Sequence, residues 1–183
     1  MPTPPDFVSG AVLTAAQMNS IGMWLIKTAT VTNAADSGTT WDNVFTSDYS
    51  TYVLHIASMN AHTAGSIPQI QFRYAGPTTQ AANYYSGIQG ITYLGGETTV
   101  FRNNQGMGYL GVACDATSNG SGVVTFNRLS AQPNYVCQFN DYQNLNWSSG
   151  GGTCTVSRTY TGFLLSMSAG NISVTASLYG MKK

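Results

Sequence analysis

The chain has 183 residues, and its seven Lys+Arg balance seven Asp+Glu to a net charge of zero, with only 8% of residues charged. That is far below the roughly 25% of ordinary domains, and it excludes the clustered positive charge that nucleic acid or an anionic membrane surface demands. With 43% apolar and 11% aromatic residues there is enough to bury a core, so solubility falls to Ser, Thr, Asn, Gln and Gly, which set up no long-range repulsion between copies.

Met1 to Pro5 contains three prolines and reads as an extended lead-in, because each ring fixes its own φ and turns the preceding residue away from helix. No basic stretch followed by an apolar run stands there, so assembly in a cytosol is expected. Thr14 and Gln17 then form a capping box, with Leu13 and Met18 at the staple positions. Met18, Ile21 and Leu25 recur at steps of three and four, widened by Trp24, which predicts one short N-terminal α-helix of about fourteen residues. A helix of that length is marginal alone in water and needs a surface to lie on. Leu13, Met18, Ile21, Trp24 and Leu25 are its expected anchoring or oligomer-interface face. The chain divides accordingly into 1–27, lead-in plus anchoring helix, and 28–183, a β domain.

From Thr28 onward the period changes to two. Tyr52, Leu54 and Ile56 alternate with Val53, His55 and Ala57, and both faces read as largely buried; Ile70, Phe72 and Tyr74 alternate with Gln69, Gln71 and Arg73, one face wet. Val124 and Phe126, and then Ile172, Val174, Ala176 and Leu178, repeat the pattern. Clusters such as Ala64-Gly65-Ser66, Ser118-Asn119-Gly120, Ser148 to Gly152 and Gly170-Asn171 read as turns. Roughly eight to ten strands at this spacing, with no βαβ alternation, predict an all-β fold, an antiparallel β-sandwich. A jelly-roll-like form is preferred, with Tyr84 to Tyr109, rich in glycine and aromatics, as a long connection between sheets. No apolar run approaches the roughly 18 residues of a membrane span.

Groups able to do chemistry are sparse. His55 lies within a strand pattern, and His62 has no carboxylate near it in sequence. Asp36, Asp42, Asp48, Asp115, Asp141 and Glu97 suit turns and strand ends, and no spacing singles out the pair that glycoside hydrolysis would need about 5 to 10 Å apart. Cys114, Cys137 and Cys154 lack zinc or framework spacing; they read as small buried hydrophobes, with one bridge plus a free thiol as the alternative. No catalytic residue, metal site or cofactor is expected. Tyr84, Tyr85, Tyr93, Tyr142 and Trp147, beside segments rich in Asn, Gln and Ser, are candidates for glycan contact, although such residues serve equally in cores and subunit seams.

The segment Phe7-Val8-Ser9-Gly10-Ala11-Val12-Leu13-Thr14-Ala15-Ala16-Gln17-Met18-Asn19 resembles the G-x-x-Leu-Thr-Ala-Ala-x-x-Asn leader of many tailed-bacteriophage virion proteins, both tail-fibre and head-decoration types. Trp41 to Leu54 and the close at Leu178-Tyr179-Gly180 are similar to strands of the same proteins. The matched pieces cover about a quarter of the chain. The resemblance implies a non-enzymatic virion structural protein, assembled in the host cytoplasm. It would be a surface-displayed homo-oligomer, trimer favoured, joined to other virion proteins through its N-terminal segment. A tail-fibre or tail-tip component contacting a host glycan or protein is the first expectation. A capsid decoration protein, and a glycan-binding lectin or depolymerase, are the alternatives.

Overall fold

The computed structural model describes residues 22–34, 38–75, 78–92, 96–114, 119–141 and 146–182. They form an all-β fold of two antiparallel sheets. In chain order the strands are β1 (Met23–Ala34), β2 (Thr39–Trp41), β3 (Tyr49–Ala61), β4 (Pro68–Tyr74), β5 (Thr78–Thr79), β6 (Tyr84–Thr92) and β7 (Glu97–Gln105). They continue with β8 (Gly108–Tyr109), β9 (Asn119–Asn127), β10 (Asn134–Asp141), β11 (Asn146–Cys154), β12 (Gly162–Met167) and β13 (Ile172–Lys182). The larger sheet has eight strands in the order β1-β13-β3-β9-β10-β11-β6-β7; the smaller has five, β2-β12-β4-β5 with β8 also on β4.

Early strands pair with late ones: β1 with β13, β2 with β12, β3 with β9 and β4 with β8. Along this ribbon successive strands fall on alternate sheets, so the sheets are knitted together by chain crossings. The hairpins β6–β7 and β10–β11 then widen the larger sheet. Strand β13 shows how the sequence dictates this: Ile172, Val174, Ala176 and Leu178 are buried while Ser173, Thr175, Ser177 and Tyr179 are half-exposed, as period two requires.

An aromatic cluster joins the sheets. Phe126 on β9 lies 5.2 Å from Phe163 on β12 and 6.1 Å from Phe72 on β4, centroid to centroid. Phe45 packs edge-on against Phe126 and Tyr52. Such pairs add about 0.5–1.5 kcal/mol each beyond the area they bury.

Several expectations need correction. Asn119 and Gly120 open β9 rather than a turn, pairing with Asn60 and Met59, and β3 is wet on one face, with His55 and Ala57 exposed. Residues from Met23 onward form strand β1, so no helix reaches residue 27; the stretch from Thr14 to Ile21 lies outside the described residues. Ser148 to Gly152 is not a turn but the middle of β11, which pairs on both edges with β10 and β6. Glycine is required there: a Cβ on Gly151 would collide with the Tyr135 carbonyl, and one on Gly150 with that of Gly87. Tyr84 to Tyr109 is no free connection, since it contains β6, β7 and β8, and with such short pieces the strands number thirteen. Finally, β4 is buried on both faces. Two of its polar residues are satisfied internally: Gln71 Nε2 donates to the Gly106 carbonyl at 2.6 Å, and Arg73 Nε to Asp42 Oδ1 at 2.6 Å.

Phe126→Ala should lower unfolding free energy in urea by about 3–5 kcal/mol, because it opens a cavity where both sheets meet. Thr40→Ala, on the exposed side of β2, should change it by less than about 0.5 kcal/mol.

Candidate functional site

Every large apolar side chain that stays exposed among the described residues belongs to the larger sheet and points away from the smaller one. Met23 and Leu25 lie on β1, Met181 on β13, Val123 on β9 and Val136 on β10. Trp147 on β11, Tyr85 and Ile91 on β6, and Phe101 on β7 complete the set. Phe101 is 77% exposed, Val136 61% and Leu25 59%.

Three of these residues, Leu25, Val136 and Phe101, share one register row. Leu25 pairs with Tyr179, Tyr179 with Val53, and Val53 with Thr125. Thr125 pairs with Val136, Val136 with Gly151, Gly151 with Gly87, and Gly87 with Phe101. One uncharged row therefore crosses all eight strands. Its two ends differ. At the β1 end, Met23 pairs with Met181 beside Leu25, forming a corner of flexible aliphatic side chains. At the β7 end, Gly87 and Gly151 leave a floor without side chains. Tyr85 and Phe101 wall a groove of about 520 Å³ there, with Arg102, Asn103 and Thr153 also lining it. The Phe101 ring leans over Gly87, where an added Cβ would meet it at 3.3 Å.

A β-bulge between Leu25 and Lys27 creates the aliphatic corner. Met23 and Leu25 face outward, whereas Ala29 and Val31 beyond the bulge pack on the core. One extra residue switches the alternation. Lys27, at the bulge, carries its ammonium over the buried Trp41 ring at 5.3 Å.

Of the expected anchoring residues, Leu13, Met18 and Ile21 lie outside the described residues. Trp24 and Leu25 do not form one stripe, because adjacent strand residues face opposite ways; Trp24 is half-buried and lines a different pocket with Asp48, Tyr49 and Lys182. Of the glycan candidates, Tyr93 and Tyr142 lie outside the described residues. Tyr84 cannot touch a ligand: it is 0% exposed, and its hydroxyl accepts the Phe72 N–H at 2.6 Å. Tyr85 and Trp147 do face solvent, but Trp147 pairs with Ile91, six residues along β6 from Tyr85, about 20 Å away. Phe101 and Val136, the most exposed of the row after twist and pairing are set, have no signature in sequence. Their exposure depends on which neighbours the register gives them.

Several titratable groups are occupied in structural contacts, Arg73 with Asp42 among them. His62 Nε2 shares a hydrogen bond with Ser173 Oγ at 2.8 Å. No group of three His, Cys, Asp or Glu converges among the described residues. The three cysteines are buried and unbridged. Burial, and after it the Asp141 charge, pushes the Cys114 thiol up to about 12; burial alone pushes Cys137 up to about 12. Burial likewise raises the Tyr84 and Tyr135 hydroxyls, and Tyr135 donates to the Tyr109 carbonyl at 2.7 Å. Compared with known protein families, curated proteins and solved structures, the chain matches none.

The sign of the pH dependence follows. The folded state holds the Cys114 and Cys137 protons more tightly than the unfolded state, so their stabilising effect is complete below the ordinary thiol value and is lost as pH rises toward 12. Denaturant titrations should show a decline in stability above about pH 9, approaching 1.4 kcal/mol per pH unit for each thiol. Iodoacetamide at pH 8 should modify no cysteine in the native chain and all three in guanidinium.

Proposed function

We propose that this chain is a non-enzymatic bacteriophage virion structural protein. In this reading it is a multimeric β-sandwich module of the jelly-roll kind, attached to the particle by its N-terminal segment as a tail-fibre or tail-tip component. The observation that carries the reading is the course of β1. The residues following the leader-like segment enter the larger sheet as its outer strand, at the corner where Met23, Leu25 and Met181 are exposed. An outer strand that begins at an exposed apolar corner is suited to contact rather than to a catalytic cleft.

The jelly-roll part of the reading is supported by the ribbon. Pairings β1–β13, β2–β12, β3–β9 and β4–β8, with successive strands on alternate sheets, follow from wrapping one long antiparallel hairpin around a core. The surface chemistry favours the same use. Sparse charge and mostly neutral side chains suit permanent contact in an assembly, where charge repulsion between many copies would cost stability.

Capsid decoration uses the same features, so the test separates the two positions. Immunogold labelling of particles carrying this chain should decorate the tail. Labelling confined to the head would assign the chain to capsid decoration. A chain lacking residues 1–21 should be absent from particles, and its incorporation at wild-type level would overturn attachment through the N-terminal segment.

A further inference from the structure

We infer that the cleft on the outer side of the smaller sheet is a binding site for one neutral sugar residue, held by Gln69, Gln71 and Ser166. The site is independent of the virion reading, since it involves neither the N-terminal segment nor β1.

Two strands make its floor. On β4, Ile70 and Phe72 turn into the core, so Gln69 and Gln71 turn to the opposite face. On β12, Phe163 and Leu165 lie in the core, and Leu164 and Ser166 share that same outer face. Gln69 pairs with Ser166 and Gln71 with Leu164, which makes each pair cross-strand neighbours with Cβ atoms about 5 Å apart.

Two loops make its walls. The loop carrying Met107 is tied down by Gln71, whose Nε2 donates to the Gly106 carbonyl at 2.6 Å. The turn after β12 is held twice: Ser66 Oγ donates to the Ala169 carbonyl at 2.7 Å, and the Ile67 N–H donates to Ser168 Oγ at 2.9 Å. The cleft between them measures about 580 Å³, within the roughly 300–1,000 Å³ of small-ligand pockets.

Two polar groups in the floor are left over by the fold. Gln69 is 5% exposed and Ser166 4%, yet among the described residues neither the Gln69 amide nor the Ser166 hydroxyl has a hydrogen-bond partner. Their polar atoms are not sealed away, as Trp41 Nε1 is, and so open on the cleft that both residues line. A buried amide without a partner carries a cost that an apolar side chain of similar size would avoid. A ligand able to hydrogen-bond relieves that cost. Gln71, its Nε2 already committed, still offers Oε1 as an acceptor.

The lining names the ligand. None of the described residues lining the cleft is charged, and Arg73, further along β4, is taken by Asp42; an ion would lose its hydration with nothing to replace it. A primary amide presents a donor and an acceptor side by side, and a serine hydroxyl serves as both. Neighbouring sugar hydroxyls, each donor and acceptor at once, match that set. Leu164 and Met107 supply an aliphatic surface for the C–H groups of the ring. A wholly apolar ligand would leave the amide as unpaired as before.

Saturation-transfer NMR on the full chain tests this, with the methyl glycosides of glucose, galactose, mannose and N-acetylglucosamine as probes and glucuronic acid as the charged comparison. At least one neutral glycoside should bind. Gln69→Met and Ser166→Ala should each weaken that binding by about tenfold or more, the loss of a hydrogen bond made in a desolvated site. Neither should lower the melting temperature, because neither group has a partner in the fold to lose; a fall in both would mean that these groups serve the fold, and would overturn the proposal. Phe101→Lys, in the groove of the larger sheet, should leave binding intact. Loss of binding in that variant with retention in Gln69→Met would move the sugar to the larger sheet and overturn the assignment. Failure of every neutral glycoside to bind, or tighter binding of glucuronic acid, would overturn it as well. So would binding of N-acetylalanine methylamide, a peptide-backbone probe, in place of the sugars. None of these results touches attachment through residues 1–21, which the particle assay scores separately.

Discussion

The pairing of β13 between β1 and β3 is the constraint on which the rest depends. It ties the end of the described chain to its beginning: Thr28 and Ser177 share a side-chain hydrogen bond across 149 residues. Closing a loop of that length costs about 4 kcal/mol of chain entropy. Burial of Ile172, Val174 and Leu178 returns about 1.5–3 kcal/mol apiece, and pairing on both edges satisfies the strand's backbone. Burial therefore outweighs closure. The cost appears in kinetics instead, because contacts so distant in sequence form late and slow the search.

The same pairing decides which side chains meet solvent. A slip of one residue would exchange the two faces of a strand, burying Tyr179 and exposing Leu178. Bulges near Leu25 and between Thr175 and Ala176 absorb the mismatch where two long strands run together. The first of these puts Met23 and Leu25 outside and Ala29 and Val31 inside. An exposed apolar corner on an otherwise well-patterned strand is thus a product of register, maintained by the buried residues that follow it.

The all-β class and several strands were legible because one-sided burial leaves an alternating trace, clearest in Ile172 to Leu178 and in Tyr52 to Ile56. Other elements left none. In β1 the bulge breaks the alternation, and Leu25 falls at a helical step from Met18 and Ile21 in the sequence; pairing with β13 overrides that local pattern from Met23 on. The glycines of β11 have turn-like composition, but partners on both edges hold them extended, and only glycine fits so close to the neighbouring carbonyls. Of the candidate site, Tyr85 and Trp147 were legible as aromatics in polar surroundings. Their separation, the burial of Tyr84 and the exposure of Phe101 were not, since each depends on long-range register rather than on neighbouring residues.

Charge completes the physical picture. One of the few arginines, Arg73, is committed to Asp42 inside the smaller sheet; a second, Arg158, covers the Tyr74 ring with its guanidinium at 4.0 Å; a third, Arg102, lies over the Tyr109 ring. Charges held in such contacts do little to steer an approaching partner over distances beyond a Debye length of about 8–10 Å. Encounter then proceeds at unsteered rates, and persistence must come from dissociation, which apolar area and shape control. A larger sheet with a continuous uncharged row supplies area and shape.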